Sequence, residues 1–304
     1  MRALLAVASL TALAAGCGSS TSVSERGAPS PPGSLEALWK QSGQQVALIP
    51  GTNDYAPGDL RISFLVVDNR GRPVAPPRAR FWIARSLVAK PFQRTVARLE
   101  PVGVAGVSEV EDAPSLYVAH VRVNAPGTYY VLARPIGHPA IGGMREVLVR
   151  KHAASPSVGS RAYPSVTPTL ASAHGRAAKI TTRVPPDRGL LRYSIAESLR
   201  AHIPFVVTFA TPRYCSSRTC GPVVDVVDRT RRRLAKDGSI RFIHVEIYRD
   251  NDPRKGENRW VREWRLPSEP WTFLVGRDGR IKAKFEGSIS ARELESAVRR
   301  LLHA

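Results

Sequence analysis

The sequence predicts two globular domains, an all-β sandwich followed by an α/β domain, behind an exported N-terminal segment. Short β-rich runs broken by Pro and Gly fill the first part of the chain, which is typical of an all-β domain. Strand-like runs alternate with helical spacings in the second part, which indicates an α/β domain. The chain has 304 residues and a hydrophobic fraction of 43%, so it is long and apolar enough to form two cores.

The N-terminal segment, residues 1–17, predicts a secretory signal. Arg2 precedes an apolar or small stretch from Ala3 to Ala15, which is too short to span a membrane. Its end, Leu13-Ala-Ala-Gly-Cys17, looks like a bacterial lipobox, which implies lipidation at Cys17 and a membrane anchor on the outer face of the cell. The alternative is an ordinary signal peptide with a chance cysteine. Residues 18–42 predict a disordered tether, because Ser, Gly and Pro dominate their first half.

The formal net charge is +20, and in an exported protein it predicts contact with anionic envelope surfaces and not with nucleic acid. The densest basic run extends from Arg229 to Lys236. We interpret it as a solvated helix face with cations near its C-terminal end. No nucleic-acid-binding signature accompanies the charge.

Residues 43–151 predict the β-sandwich. Ile62, Phe64 and Val66 alternate with less apolar residues, as in strands with one buried face. The stretch Pro126-Gly-Thr-Tyr129-Tyr130 resembles the tyrosine-corner region of immunoglobulin-like domains, and either tyrosine suits that role. The resemblance implies an immunoglobulin-like sandwich in architecture only.

Residues 152–304 predict the order strand, helix, strand, helix, strand, strand, helix, after an irregular lead-in. Ser194 is expected to cap a short helix, and Ser290 with Glu293 forms a capping-box pattern before the last one. Cys215 and Cys220 lie between the first strand of this order and a helix that begins near Gly221-Pro222. A helix N-terminus stabilises a thiolate, so this pair is the candidate for redox chemistry.

That order, with its cysteine motif and with Pro270 opening the third strand, resembles the thioredoxin fold and more closely the membrane-anchored thioredoxin-like proteins. The resemblance covers roughly half of the chain, from about residue 155 to the end. It implies that Pro270 is a cis-proline lying against the cysteines and that Glu269 supplies the preceding backbone. Pro267 is the weaker candidate for that role.

The cysteine spacing departs from this family, because four residues separate Cys215 from Cys220 where the family has two. In one alignment Cys220-Gly221-Pro222 overlays the family motif, and Val223 takes the partner cysteine's place. In the other, Cys215 is the outer thiol and Cys220 resolves it. Arg218 in the loop and the helix terminus both favour a thiolate.

A buried Asp that shuttles protons in the family is replaced by Thr208. Glu246, on the neighbouring strand, is the sequence's candidate proton acceptor, with an ordinary half-exposed strand acid as the alternative.

We therefore expect extracytoplasmic thiol-disulfide exchange with envelope or secreted proteins, without a cofactor and with no resident metal. Two alternatives stay open. One is a surface interaction lipoprotein in which Cys215 and Cys220 form a structural disulfide. The other is copper(I) binding or delivery, for which a third ligand is needed and His202, His244 and His303 are poor candidates.

Overall fold

Alternating apolar residues in the first half of the chain form seven strands around one core. The computed structural model describes residues 29–41, 44–108, 114–137, 141–235 and 238–303. The strands of the first half are β1 Gln44–Pro50, β2 Gly58–Val67, β3 Arg78–Ala84, β4 Gln93–Pro101, β5 Ser115–Val123, β6 Gly127–Pro135 and β7 Ile141–Val149. A short helix, α1 Leu35–Lys40, precedes them with Ser34 as its N-cap.

These strands close into a barrel in the order β1-β2-β5-β4-β3-β6-β7. The alternating residues of β2 point inward, and Phe64 stacks on Phe81 of β3 at 5.4 Å and on Tyr117 of β5 at 5.5 Å between ring centroids. The hydroxyl of Tyr129 donates to the carbonyl of Ala125 at 2.7 Å. This contact joins β6 to the turn that precedes it and does not depend on a sandwich fold.

The predicted immunoglobulin-like sandwich is wrong, because the first and last strands pair with each other and leave no open edges. The parallel pairing joins Gln44–Val46 of β1 to Ile141–Gly143 of β7. Gly143 permits this approach, since a Cβ there would lie 2.8 Å from a methyl carbon of Leu48. Strand alternation specifies which face is buried but does not specify a partner almost a hundred residues away.

The second half contributes a small four-stranded sheet and most of the helices. Its strands are β8 Phe205–Phe209, β9 Arg241–Val245, β10 Trp271–Val275 and β11 Ile281–Glu286, in the order β11-β10-β8-β9 with β8 and β9 parallel. The helices are α2 Ile195–Arg200, α3 Cys220–Leu234, α4 Arg259–Glu263 and α5 Ala291–Leu302. Short 3-10 turns lie at Ala177–Lys179, Arg188–Leu191, Arg249–Asn251 and Pro253–Lys255.

The predicted fold class, a sandwich joined to an α/β thioredoxin-like domain, is also wrong. The described chain is mostly β, with a closed barrel and a small second sheet. Of its five α-helices, three have only five or six residues. Local strand and helix signals, including the capping boxes at Ser194 and Ser290 that the structure contains, do not determine the fold class, because the assembly of elements depends on distant contacts. The predicted domain boundaries stay predictions.

Polar contacts join the barrel to the second sheet. Arg61 of β2 forms a bidentate ion pair with Glu293 of α5 at 2.8 and 3.0 Å, and both side chains are nearly buried. Glu286 of β11 accepts hydrogen bonds from the backbone N–H groups of Asn53 and Asp54 at 2.8 and 2.9 Å. The two parts are therefore held together by groups from several elements.

The loop that follows β4 reaches the first turns of α3. Val104 belongs to the same apolar cluster as Cys220, and Ser108 donates to a carboxylate oxygen of Asp225 at 2.6 Å. A Cβ at Gly103 would lie 3.0 Å from Pro222. A barrel loop thus forms one wall around the start of α3. In the described part of the chain, no helix is both long and apolar enough to cross a bilayer.

Candidate functional site

Cys215 and Cys220 form a disulfide at the junction between a strand and a helix. Cys215 lies in the loop that leaves the C-terminal end of β8, and Cys220 is the first residue of α3. Their Cα atoms are 5.9 Å apart. Both sulfurs therefore lie at the N-terminal end of a 15-residue helix, where the helix dipole favours negative charge.

The two sulfurs differ in exposure. Cys220 is 0% exposed and packs among apolar side chains of β8 and α3, whereas Cys215 is half-buried at the edge of that cluster. The backbone N–H of Cys220 donates to Cys215 Sγ at 3.3 Å. Ser217 Oγ lies 3.3 Å from the same sulfur and 2.8 Å from Thr219 Oγ1. Polar donors therefore surround the accessible sulfur, and the other is sealed in an apolar core.

A glutamate completes the group of reactive side chains. One carboxylate oxygen of Glu269 and the two sulfurs all lie within 4.8 Å of one another. The Oε2 atom of Glu269 is buried without a hydrogen-bond partner among the described residues. Burial, with smaller contributions from the charges of Glu246 and Glu257, raises the pKa of Glu269 to about 7. The Glu269–Pro270 peptide bond is cis, and Pro270 is buried at the start of β10.

Glu246, the proton acceptor expected from the sequence, has another partner. It is 3% exposed on the segment after β9. Its Oε2 accepts from the backbone N–H of Thr182 at 2.7 Å and from the Thr182 hydroxyl at 2.9 Å. Glu246 therefore holds the segment around Thr182 in place.

The other predicted residues that the structure describes lie at the start of α3, in the cysteine loop and on β8. Pro222 is buried in the first turn of α3, where proline is compatible with the helix. A Cβ at Gly221 would meet nothing within 4 Å, so close packing does not require glycine there. Arg218 is exposed in the loop with φ 54°. Thr208 is buried and donates to the carbonyl of Trp271 at 3.2 Å. Cys17 lies outside the described residues.

A segment that sequence reasoning treated as an irregular lead-in borders the site. The Thr182 hydroxyl accepts from the backbone N–H of Arg213, two residues before Cys215, at 3.2 Å. Arg183 forms an ion pair with Asp225 of α3, and Val184 next to it is 88% exposed. Nothing in a Ser-, Ala- and Pro-rich stretch without periodicity indicates this placement.

The structure gives copper(I) no histidine ligand at this site. No described histidine has a donor atom in the group formed by the two sulfurs and the carboxylate. His244 is buried, its Nε2 lies 2.9 Å from the carbonyl oxygen of Ala210, and burial holds its pKa below the usual range. His202 lies beside the carbonyl of Arg277, and His303 is the C-cap of α5.

Comparisons with known proteins give only distant likenesses. No protein-family profile matches the chain. The curated proteins likewise contain no match. Among solved structures, a superoxide reductase (neelaredoxin) from Ignicoccus hospitalis is 13% identical, with 38% of this chain and 87% of that chain covered at a TM-score of 0.20.

Two further solved structures resemble parts of the chain. A putative superoxide reductase from Thermotoga maritima is 12% identical over 37% of this chain and 90% of its own, with a TM-score of 0.20. The Escherichia coli adhesin FdeC is 19% identical over 42% and 36%, with a TM-score of 0.16. Likenesses at these scores carry no argument about what this chain does.

The resemblance to membrane-anchored thioredoxin-like lipoproteins, which the sequence suggested, is wrong. The described chain is mostly β, with a closed seven-stranded barrel and a small second sheet. The sequence motifs that carried the resemblance are local, whereas a family is defined by the whole fold.

Proposed function

We propose that the protein exchanges disulfides with envelope or secreted proteins outside the cytoplasm through Cys215 and Cys220. The observation that carries this proposal is the asymmetry of the pair. Cys215 is partly exposed and its sulfur receives a hydrogen bond from the first amide of α3, whereas Cys220 is fully buried. Exchange requires one sulfur that a substrate can reach and a second that can displace the substrate.

The chemistry follows from this asymmetry. In the reducing direction, the Cys215 thiolate attacks a substrate disulfide, a mixed disulfide forms, and one substrate thiolate leaves. Cys220 then attacks Cys215 Sγ, the second substrate thiolate leaves, and the Cys215–Cys220 bond forms. The substrate gains two electrons, the protein loses two, and the two thiol protons pass to the released thiolates. The oxidising direction is the reverse of these steps.

Hydrogen bonds at Cys215 favour its role as the attacked and attacking atom. The N–H of Cys220 and the hydroxyl of Ser217 both lie 3.3 Å from this sulfur. Donors at this distance stabilise a thiolate more than a thiol, because the anion is the better acceptor. They therefore increase the fraction of Cys215 that is a thiolate at neutral pH, and they make this sulfur a better leaving group.

A purely structural bridge explains less of this arrangement. The bridge closes a loop whose ends are five residues apart, so it removes only roughly 2 kcal/mol of unfolded-chain entropy. The helix start is already buried in an apolar cluster without it. The apolar segment at residues 1–17, which lies outside the described residues, predicts export to a compartment where such bonds form.

Trapping a mixed disulfide tests the proposal. We expect Cys220→Ser to accumulate a mixed disulfide between Cys215 and a disulfide-containing substrate such as insulin. We expect Cys215→Ser to accumulate none. Wild-type protein should also equilibrate with glutathione at a measurable potential. Ser216→Ala, at an exposed loop neighbour, is the matched control and should exchange normally.

The same variants separate exchange from the scaffold alternative. If neither single variant traps a substrate and the wild-type bridge resists dithiol reagents while both variants lose only stability, the disulfide is structural and the proposed exchange is wrong. Thermal unfolding of each variant supplies the stability measurement.

A further inference from the structure

The buried side chain of Cys220 cannot give its proton directly to bulk water. Cys220 is 0% exposed and lies in the apolar cluster that also contains Val206 and Val223. An apolar environment disfavours a thiolate, yet Cys220 must lose its proton to attack the mixed disulfide. A group next to this sulfur therefore has to accept that proton.

Three other polar side chains of β8, β9 and the segment after β9 have partners of their own. Glu246 accepts two hydrogen bonds from Thr182, and Nε2 of His244 lies against the carbonyl of Ala210. The hydroxyl of Thr208 donates to the carbonyl of Trp271, and a hydroxyl is too weak a base for this role. Neither Glu246 nor His244 has a donor atom in the group around the sulfurs.

We propose that Glu269 is the proton-transfer residue of the exchange reaction, a role that rests on the proposed function of the cysteine pair. Its carboxylate oxygen and both sulfurs lie within 4.8 Å of one another, a separation that a side-chain rotation or one bridging water spans. Its Oε2 is buried and has no hydrogen-bond partner among the described residues. The carboxylate is thus placed to take a proton from the site.

The proton follows a closed path through the reaction. When Cys220 attacks Cys215 Sγ, the S–H proton of Cys220 passes to Glu269, the bond between Cys215 and the substrate breaks, and the substrate leaves as a thiolate. Glu269 then gives the proton to that thiolate, which departs as a thiol. In the oxidising direction, protonated Glu269 supplies the proton to Cys220 as it leaves.

The surroundings of Glu269 suit a proton that is exchanged near neutral pH. Burial is the main reason that its pKa rises to about 7, and the facing carboxylates of Glu246 and Glu257 add to the rise. Tyr248 also faces this group, and burial together with Glu269, Glu257 and Glu246 raises its pKa. These acidic neighbours and the two cysteines are the titratable groups around the carboxyl.

The resolving step can be measured alone. Reduced protein reacts with a symmetrical chromogenic aryl disulfide: one aryl thiolate leaves as the mixed disulfide forms at Cys215, and release of the second aryl thiolate reports the attack by Cys220. We expect the wild-type rate constant to rise with pH with an apparent pKa near 7. Glu269→Gln should slow release at least about tenfold near neutral pH and lose this inflection, since general base catalysis is typically worth 100-fold or more.

Two variants complete the test. Glu269→Asp keeps a carboxylate and should restore part of the rate, and Glu257→Gln, at an exposed acid, should leave the rate near wild type while moving the inflection to lower pH. If Glu269→Gln releases the aryl thiolate at the wild-type rate at neutral pH, with the inflection of the pH profile unchanged, Glu269 is not the proton-transfer residue and the exchange function is unaffected. A mixed disulfide that Cys220 never resolves in wild-type protein would overturn both.

Discussion

At the scale of single residues, Glu269 lies where its ionised form lowers the stability of the folded protein. Its folded-state pKa of about 7 lies above the ordinary 4.5, so the folded protein holds this proton more tightly than the unfolded chain does. The contribution of this bound proton to the free energy of unfolding is fully present below the unfolded pKa and is lost as the pH rises through the folded pKa. A buried carboxyl whose raised pKa costs stability is typical of a functional site and not of a group that stabilises the fold.

We predict that Glu269→Gln is more stable than wild type at about pH 8 and equal to it near pH 4. The amide cannot ionise, so it avoids the desolvation penalty that wild-type Glu269 meets at the higher pH. We expect a gain on the order of 1 kcal/mol, less than the shift alone implies, because Glu269 is partly exposed. Denaturant unfolding at both pH values measures it, and a pH-independent difference would contradict the prediction.

Ser217 gives a second prediction at this scale. Its hydroxyl lies 3.3 Å from Cys215 Sγ, and removing a donor to a thiolate raises the thiol pKa. In reduced protein, Ser217→Ala should therefore slow alkylation of Cys215 by iodoacetamide near neutral pH, roughly threefold to tenfold. Ser216→Ala, at the adjacent exposed residue, serves as the comparison and should alkylate at the wild-type rate.

At the scale of elements, helix starts in this chain carry more than local contacts. Ser290 accepts from the backbone N–H of Glu293 at 3.2 Å as the N-cap of α5. Its hydroxyl also donates to Glu100 of the barrel at 2.7 Å. The same hydroxyl therefore caps the start of α5 and attaches this helix to the barrel.

We predict that Ser290→Ala lowers the free energy of unfolding by about 1 to 2 kcal/mol, through loss of the cap and of the contact with Glu100. Ser296→Ala on the same helix removes only an exposed contact with Arg300 and should change stability by less than about 0.5 kcal/mol. Equal effects of the two substitutions on the denaturation midpoint would show that the cap is unimportant.

At the scale of the whole molecule, charged groups hold the barrel and the second sheet together. Arg61 and Glu293 are only 11% and 8% exposed in their side chains. Burial acts to raise the pKa of Glu293, but the hydrogen bonds and charge of Arg61 outweigh it and the pKa is lowered. The contribution of this pair is therefore present above the ordinary carboxyl pKa and is lost as the pH falls through the lowered one.

Breaking this pair should be costly. We predict that Arg61→Met lowers the free energy of unfolding by about 3 kcal/mol, because it leaves the Glu293 charge buried without its partner. Arg122→Met removes an ion pair with Asp59 whose side chains are 65% and 81% exposed, and it should cost less than about 1 kcal/mol. Chemical denaturation of both variants near neutral pH makes the comparison.

The sequence predicts local features of this molecule better than distant ones. The alternation at Ile62 and Phe64 and the capping pattern at Ser290 depend on neighbouring residues, and the structure contains both. The pairing of β1 with β7 depends on a contact across almost a hundred residues. No local pattern encodes that contact, so the barrel was missed.

The candidate site shows the same division. The cysteine pair and the helix that begins at Cys220 follow from local sequence. The approach of the Glu269 side chain to the sulfurs depends on the packing of β10 beside β8, and the attachment of Glu246 to Thr182 depends on a segment without regular structure. The sequence alone therefore does not show that Glu269, and not Glu246, lies next to the sulfurs.

The barrel loop at Val104 and Ser108 has a consequence for how this protein is to be handled. Val104 belongs to the apolar cluster that contains Cys220, and Ser108 is bonded to Asp225 of α3. A fragment beginning after the barrel would therefore expose part of this cluster beside Cys220. Such a truncated chain should oxidise and self-associate more readily than the intact protein, in which this surface is buried.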